Sequence, residues 1–142
     1  MDSKKETELK PSEALLAALP FNITQGTGSL FDLVHGCDFC ACAIGQMAIG
    51  SGKFAVDLPG GIVVGKGDAP HRSIVGEIAA SEVTQEIPSL AKIVSPHHPL
   101  HKQWCVTGTD KGVALVTLVI EANDGLGLSL PEIAATLAEH GF

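Results

Sequence analysis

The longest amphipathic pattern in the chain runs over residues 29–50. Its apolar residues recur at spacings of three and four, which is the period of one face of an α-helix. Ser29 and Asp32 form a carboxylate variant of the capping box, so we expect a helix that begins at Ser29. Gly36 would weaken this helix by about 1 kcal/mol relative to alanine. A break at Gly36 is therefore the second interpretation of the same pattern.

Two shorter helices are predicted near the two ends of the chain. Pro11 and Pro20 bound a stretch rich in Ala and Leu, as expected for a helix with one proline at its start and another just past its end. Ser129 and Glu132 form a capping box, which predicts a C-terminal helix over residues 130–140.

Apolar and β-branched runs separated by glycine-containing turns predict two β-hairpins. The first joins residues 54–58 to residues 62–64, and the second joins residues 103–107 to residues 113–122. The longest of these runs is apolar almost throughout, which is typical of a central strand buried on both faces. The predicted fold is therefore α+β, with a mostly antiparallel sheet from two hairpins packed against the central cysteine-containing helix and the C-terminal helix.

Chain length and charge restrict the class of protein. A chain of 142 residues fits one domain, so we expect a flexible, charged arm over residues 1–10 and a single domain over residues 11–142. The net charge is -7 and only 9 residues are Lys or Arg, which argues against nucleic acid as a partner. No apolar run reaches the roughly 18 residues of a membrane span, so we expect no membrane partner.

Composition also bears on the partners of the protein and on its cellular compartment. Hydrophobic residues make up 45% of the chain but aromatic residues only 4%, so we expect part of an aliphatic surface to be covered in a homo-oligomer or by a partner subunit. Four cysteines in a chain without an export signal predict reduced thiols or metal ligands in the cytoplasm rather than disulfides.

Three of the four cysteines, Cys37, Cys40 and Cys42, form a C-x2-C-x-C pattern in residues 37–42, which we call the cysteine segment. Three thiolates this close can bind a zinc ion or share an iron-sulfur cluster, with Cys105 as a distant fourth ligand. At about 100° per residue, a regular helix would point Cys42 roughly 200° away from Cys40. A three-thiolate site therefore requires that the helix begin only after Cys42.

The cysteine segment has two further interpretations. Cysteine is among the most buried residue types, and Phe39, Ala41 and Ile44 are typical core neighbours, so the thiols can simply pack in the core. Alternatively, Cys37 and Cys40 form a redox dithiol near a helix N-terminus, which would lower the pKa of a thiol.

The spacing of the cysteine segment resembles the metal-binding loop of the nitrile hydratase alpha subunit, in which three thiolates and two backbone amides hold the metal. The resemblance covers six residues, and Asp38, Phe39 and Ala41 differ from the small hydroxyl-bearing residues typical of that loop. The first two cysteines and the helix predicted after them also resemble the carboxymuconolactone decarboxylase and alkylhydroperoxidase-D family. That family has a His four residues after the second Cys, where this chain has Ile44, and an all-helical fold. No activity is therefore inferred from either resemblance.

A second cluster of metal-ligand residue types lies over residues 97–105. His97, His98, His101 and Cys105 fall within nine positions, among two prolines that would stiffen a loop. A solvated proline-rich loop with incidental histidines is the alternative interpretation. If Cys105 begins a strand beside the cysteine helix, the two clusters meet in one mixed Cys/His metal site.

A glycine-rich loop over residues 65–72 is a weaker candidate. Asp68, His71 and Arg72 there can act as acid, base and anion-binding groups. The loop has neither the pattern of a P-loop nor that of a dinucleotide site, and an ordinary turn is the alternative. An enzyme that acts on an organic substrate at this loop is a third option.

Two main classes of function follow from these features. The first is a small cytoplasmic metal-binding or thiol-redox protein that uses the cysteine segment, for instance as an accessory subunit of an oxidoreductase. The second is a non-catalytic structural or assembly subunit of an oligomer, with the cysteines buried as core. The sequence assigns no reaction to either class.

Overall fold

Helices and short strands alternate along the computed structural model, which describes residues 9–28, 30–34, 38–58, 60–66, 68–73, 78–106 and 108–142. All but two residues of the predicted flexible arm lie outside these ranges. The helices are α1 (Pro11–Ala18), α2 (Ala43–Gly50), α3 (Ala80–Glu86), α4 (Pro99–Trp104), α5 (Leu115–Ile120) and α6 (Leu130–Glu139). The strands are β1 (Thr24–Gln25), β2 (Phe31–Val34), β3 (Asp38–Ala41), β4 (Ala55–Leu58), β5 (Ile62–Gly65), β6 (His71–Ser73), β7 (Ile93–Val94) and β8 (Val113–Ala114). Short 3-10 turns follow at Leu19–Phe21 and Pro88–Ala91, and a π-helical turn at Glu121–Gly125.

The described strands form three small sheets. In the first, β3 lies between β1, which is parallel to it, and β2, which is antiparallel. In the second, β4 lies between antiparallel β5 and parallel β6, and the third is the antiparallel pair of β7 and β8. The fold is therefore α+β, as predicted, but small mixed sheets replace the mostly antiparallel sheet expected from two hairpins.

The first predicted hairpin is confirmed. β4 and β5 pair antiparallel, from Ala55 opposite Gly65 to Leu58 opposite Ile62. In the connecting turn Gly61 has a φ of 78°, a left-handed backbone conformation that glycine adopts without steric cost. The local turn signal is the reason that the sequence predicts this hairpin correctly.

The second predicted hairpin is wrong. Residues 103 and 104, where the first strand was expected to begin, are the last two of α4. The run over residues 113–122 is mainly α5 after two residues of strand. Leu115, Leu118 and Ala122 are buried, and their spacings of three and four are those of one helical face. An apolar run that is buried on all sides fits a strand and a helix alike, so its pattern does not distinguish them.

The helix predicted over residues 29–50 is wrong in its first half. Strands β2 and β3 occupy that half and pair antiparallel, with Phe31 opposite Ala41, and α2 begins only at Ala43. The rings of Phe31 and Phe39 stack with their centroids 5.7 Å apart. Aromatic contacts between strands stabilise such pairs, and apolar residues from two strands and a helix together imitate one helical period.

The helices at the two ends of the described chain agree with the prediction. α1 begins at Pro11, and in α6 the hydroxyl of Ser129 accepts the N–H of Glu132 at 3.3 Å. α1 packs against both α2 and α6. None of the helices within the described ranges is long and apolar enough to cross a membrane.

The core is filled mainly by aliphatic side chains from the helices. α1 and α2 approach so closely that a Cβ placed on Gly50 would lie 1.7 Å from the backbone oxygen of Ala14. The largest side chains with almost no solvent exposure are Trp104, Leu15, Ile44, Met47, Ile49, Ile87, Leu90, Leu100, Leu115, Leu118, Ile133 and Leu137. Because α2 supplies three of these, the start of α2 beside the cysteine segment is anchored in the core.

Candidate functional site

The backbone of the cysteine segment is extended where the structure describes it. β3 ends at Ala41, Cys42 continues the extended path with φ -72° and ψ 177°, and α2 begins at Ala43. Cys37 lies outside the described residues. The condition that the sequence sets for a three-thiolate site, a helix that begins only after Cys42, is therefore met.

Cys40 and Cys42 are two residues apart on extended backbone. Because alternate residues of a strand face opposite sides, we expect these two thiols to share one side, with Phe39 and Ala41 on the other. A Cβ placed on Gly26, directly after β1, would lie 3.0 Å from the Cβ of Cys40, so Cys40 faces Gly26. Both cysteines are reduced thiols, and Cys40 is the more exposed of the two.

The thiol of Cys42 is buried at the N-terminus of α2. Burial raises its pKa from the ordinary value of 9.0 and is the largest influence on it. The backbone amides of Gly45 and Ile44, in the first turn of α2, lower this pKa, and the negative charge of Asp124 adds a smaller rise. In the chain without metal, Cys42 is therefore a neutral thiol at neutral pH.

A buried asparagine after α5 binds the start of α2. Asn123 is 1% exposed, and its Oδ1 accepts the N–H of Ala43 at 3.1 Å and the side-chain amide of Gln25 at 2.8 Å. Its Nδ2 donates to the backbone oxygen of Gly26 at 2.9 Å and to Oδ1 of Asp124 at 2.6 Å. These four hydrogen bonds use the whole capacity of an asparagine amide.

Asn123 and Asp124 reach this position from the π-helical turn Glu121–Gly125. The turn is closed by the N–H of Leu126, which donates to the backbone oxygen of Glu121 at 2.9 Å. Such turns occur frequently at functional sites. The sequence does not predict the role of these two residues, because residues 123–127 look like an ordinary loop. The only signal available was a polar pair directly after a long apolar run.

The histidines predicted as metal ligands have separate hydrogen-bonding roles. His98 is the N-cap of α4, and its Nδ1 accepts the N–H of Leu100 at 3.0 Å. His101 is buried within α4, and its Nε2 lies 3.1 Å from the backbone oxygen of Lys111. His97 is exposed to solvent. The expected proline-rich loop is therefore in large part the start of a helix.

Cys105 follows α4 as a half-buried thiol. Its N–H donates to the backbone oxygen of His101 at 2.8 Å, and it begins no strand, so the condition for a mixed Cys/His site is not met. The ring of His98 lies instead against that of His140, with centroids 5.3 Å apart. Within the ranges that the structure describes, no group of three or more His, Cys, Asp or Glu residues is arranged to hold a metal ion.

Arg72 and His71, at the end of the glycine-rich loop, each contact a carboxylate. Arg72 donates to Glu82, and its guanidinium carbon lies 5.6 Å from the centre of the Phe54 ring. The hydrogen bond from Arg72 lowers the pKa of Glu82. Nδ1 of His71 lies 3.0 Å from Oδ1 of Asp57. Because both side chains already contact an acidic partner, the loop attracts an anion less than its sequence suggests.

The cysteine segment and Asn123 together form the candidate site. Here two thiols, a helix N-terminus and a buried polar network meet, whereas the candidate histidines lie on and beside α4. Comparisons with models of known protein families, with curated protein sequences and with solved structures find no match to this chain.

Proposed function

We propose that the protein is a cytoplasmic metal-binding protein whose site is the cysteine segment, with Cys37, Cys40 and Cys42 as thiolate ligands of zinc or of an iron-sulfur cluster. The extended backbone of Cys40 and Cys42 supports this most, because a helix would point these two thiols in opposing directions. Two residues at this spacing in a strand are about 6.6 Å apart on one side. Zinc–sulfur bonds of about 2.3 Å allow two such thiolates to meet on one ion.

Metal binding would change the protonation of Cys42. Burial keeps this thiol neutral in the absence of metal, whereas a coordinating thiol is deprotonated. The amides of Ile44 and Gly45 would stabilise the thiolate once it forms. Binding would therefore release a proton from Cys42 and become tighter as the pH rises.

A thiol-redox protein is the other form of this proposal, with Cys37 and Cys40 as the dithiol, for instance in an accessory subunit of an oxidoreductase. A redox dithiol usually gains reactivity from a helix N-terminus that lowers a thiol pKa. α2 begins at Ala43 and its first amides act on Cys42, which is not a member of this dithiol. We therefore favour metal binding. A reducing cytoplasm suits both forms, since it keeps thiols available.

The test is the metal content of protein purified without chelator, measured by elemental analysis together with a visible spectrum. We expect near-stoichiometric metal, with zinc in a colourless sample or iron in a brown one. Cys40→Ser should lose the metal, and Cys105→Ser tells whether a fourth, distant ligand takes part. Ser81→Ala, at an exposed position of α3, is the control that should retain it. Metal-free wild-type protein with a melting temperature unchanged by chelator would contradict the proposal.

A structural or assembly subunit is the second candidate function, and two observations favour it. Cys42 belongs to the buried core with Ile44 and Met47, as expected of a cysteine that only packs. Ile62 and Val63 are 57% and 43% exposed on β5, which lies at the edge of its sheet among the described strands. This function predicts a defined oligomer by light scattering. A monodisperse monomer at micromolar concentration would argue against it.

A further inference from the structure

The first N–H of α2 is bound by a side chain from a distant part of the chain. Cys42 occupies the N-cap position, yet its sulfur makes no capping hydrogen bond to the first turn. The N–H of Ala43 is bound instead by Oδ1 of Asn123, which lies 80 residues further along the chain. The amides of Ile44 and Gly45, which an N-cap side chain normally binds, still act on the sulfur of Cys42. Cys42 and Asn123 therefore serve different N–H groups of the same first turn.

We infer that Asn123 is a positioning residue for Cys40 and Cys42: it holds the backbone at the junction of β3 and α2 and so sets the metal affinity of the site. The inference rests on the proposed metal-binding function. Asn123 is not a ligand in this scheme. It acts through the N–H of Ala43, the residue that follows Cys42.

Asn123 can hold this junction because it is fixed by its own neighbours. Gln25, which donates to Oδ1 of Asn123, also donates to the backbone oxygen of Leu128 at 2.9 Å. Asp124, which accepts from Asn123, also accepts the N–H of Gly28 at 3.1 Å through its other oxygen. A buried amide with all its hydrogen bonds made keeps one orientation, since any rotation would leave buried donors and acceptors unpaired.

The same side chain also reaches the surroundings of Cys40. Asn123 donates to the backbone oxygen of Gly26, and the N–H of Gly26 donates to the backbone oxygen of Ala41 at 3.0 Å. Gly26 is the residue that Cys40 faces. Asn123 therefore contacts the chain on the Cys40 side and on the Cys42 side of the site. Its loss is expected to move the two cysteines relative to each other.

Asn123→Ala tests this inference, because it removes the partner of the Ala43 N–H without changing a cysteine. Groups that support metal ligands typically contribute 10- to 100-fold in metal affinity. We therefore expect Co²⁺, titrated into the full-length metal-free protein in the presence of reductant, to bind about 10- to 100-fold more weakly, with a changed thiolate-to-cobalt absorption band. The control is Ser129→Ala, which removes a capping hydrogen bond at the start of another helix. It should lower the melting temperature and leave the Co²⁺ affinity unchanged.

Three further outcomes distinguish the inference from the function on which it rests. If Asn123→Ala fails to fold, Gln25→Ala removes one bond to Asn123 and should weaken Co²⁺ binding by a smaller factor, and unchanged binding would overturn the inference. Wild-type affinity in folded Asn123→Ala, with a lowered melting temperature, would also overturn it and leave the metal site standing. Wild-type protein that binds no Co²⁺ and is purified with neither zinc nor iron would overturn the proposed function, and the inference with it.

Discussion

Two opposing influences act on the thiol of Cys42. Burial disfavours its thiolate, whereas the amides of Ile44 and Gly45 favour it, and burial is the larger of the two. The sequence predicts the proximity of the cysteines and the condition that a helix begin after Cys42. It does not predict the hydrogen bond between Asn123 and the N–H of Ala43, because these residues are 80 positions apart and no local sequence pattern indicates the contact.

In the metal-free protein, the raised pKa of Cys42 predicts a loss of stability in alkaline solution. The thiol of the unfolded chain ionises near the ordinary value of 9.0, while the folded chain holds the proton to higher pH. Above this value the folded state binds more protons than the unfolded state, so the free energy of unfolding falls as the pH rises. Urea unfolding of metal-free protein at a series of pH values from neutral to alkaline should show this fall.

A serine substitution separates Cys42 from other groups that titrate in alkali. Cys42→Ser removes the thiol and should make the alkaline fall in unfolding free energy less steep. Ser81→Ala, which changes no titratable group, is the control and should keep the slope of the wild type. Equal slopes for wild type and Cys42→Ser would show that the fall has another cause.

At the scale of elements, the helices and strands predicted correctly are those whose ends are marked by a residue pattern in the sequence. α1 has a proline at its start, α6 has a capping box, and the hairpin of β4 and β5 has a glycine turn. The β2–β3 pair and α5 have weaker local signals. Their apolar residues fit more than one period, so contacts with distant parts of the chain decide between strand and helix.

Helix propensity and packing predict opposite effects for Gly50→Ala in α2. Alanine is more favourable than glycine within a helix by about 1 kcal/mol. However, a Cβ at this position would lie 1.7 Å from the backbone oxygen of Ala14, so α1 would have to move. We expect packing to dominate, with a loss of about 1–3 kcal/mol in the free energy of unfolding measured in urea. A more stable variant would contradict the close contact of α1 with α2.

Ala135→Gly is the control for the propensity component of that experiment. Ala135 lies at an exposed position of α6, where no close packing is disturbed. Replacing Ala135 by glycine should lower the free energy of unfolding by about 1 kcal/mol through helix propensity alone. The difference between the two variants then measures the packing contribution at Gly50.

The capping box of α6 predicts a modest and local effect for Ser129→Ala. The substitution removes the hydroxyl that accepts the N–H of Glu132 at 3.3 Å. Loss of such a cap typically costs about 1 kcal/mol, which thermal unfolding would detect as a lowered melting temperature. Ser81→Ala, at an exposed position inside α3, should leave the melting temperature nearly unchanged. Equal melting temperatures of both variants would mean that the cap contributes no stability.

At the scale of the whole molecule, each of the six helices in the described part of the chain contributes residues to one buried core cluster. The predicted single domain over residues 11–142 should therefore unfold in one cooperative transition. Trp104 is the only tryptophan, tyrosine is absent, and the indole is 1% exposed, so intrinsic fluorescence reports on the surroundings of α4. Far-ultraviolet circular dichroism reports on all helices. Coincident urea transitions by the two methods are expected, and separate transitions would show that the chain unfolds in parts.

The hydrogen bonds of Asn123 also bear on the order in which the molecule folds. Gln25 and Gly26 lie 98 and 97 residues away from Asn123 along the chain. Closing a loop of this length costs entropy before any contact forms, and such nonlocal contacts slow folding. α2 can make its own backbone hydrogen bonds earlier, but its first N–H stays uncapped until this loop closes. We therefore expect the cysteine segment to reach its final geometry late, so that metal added during refolding meets thiols whose positions are not yet set.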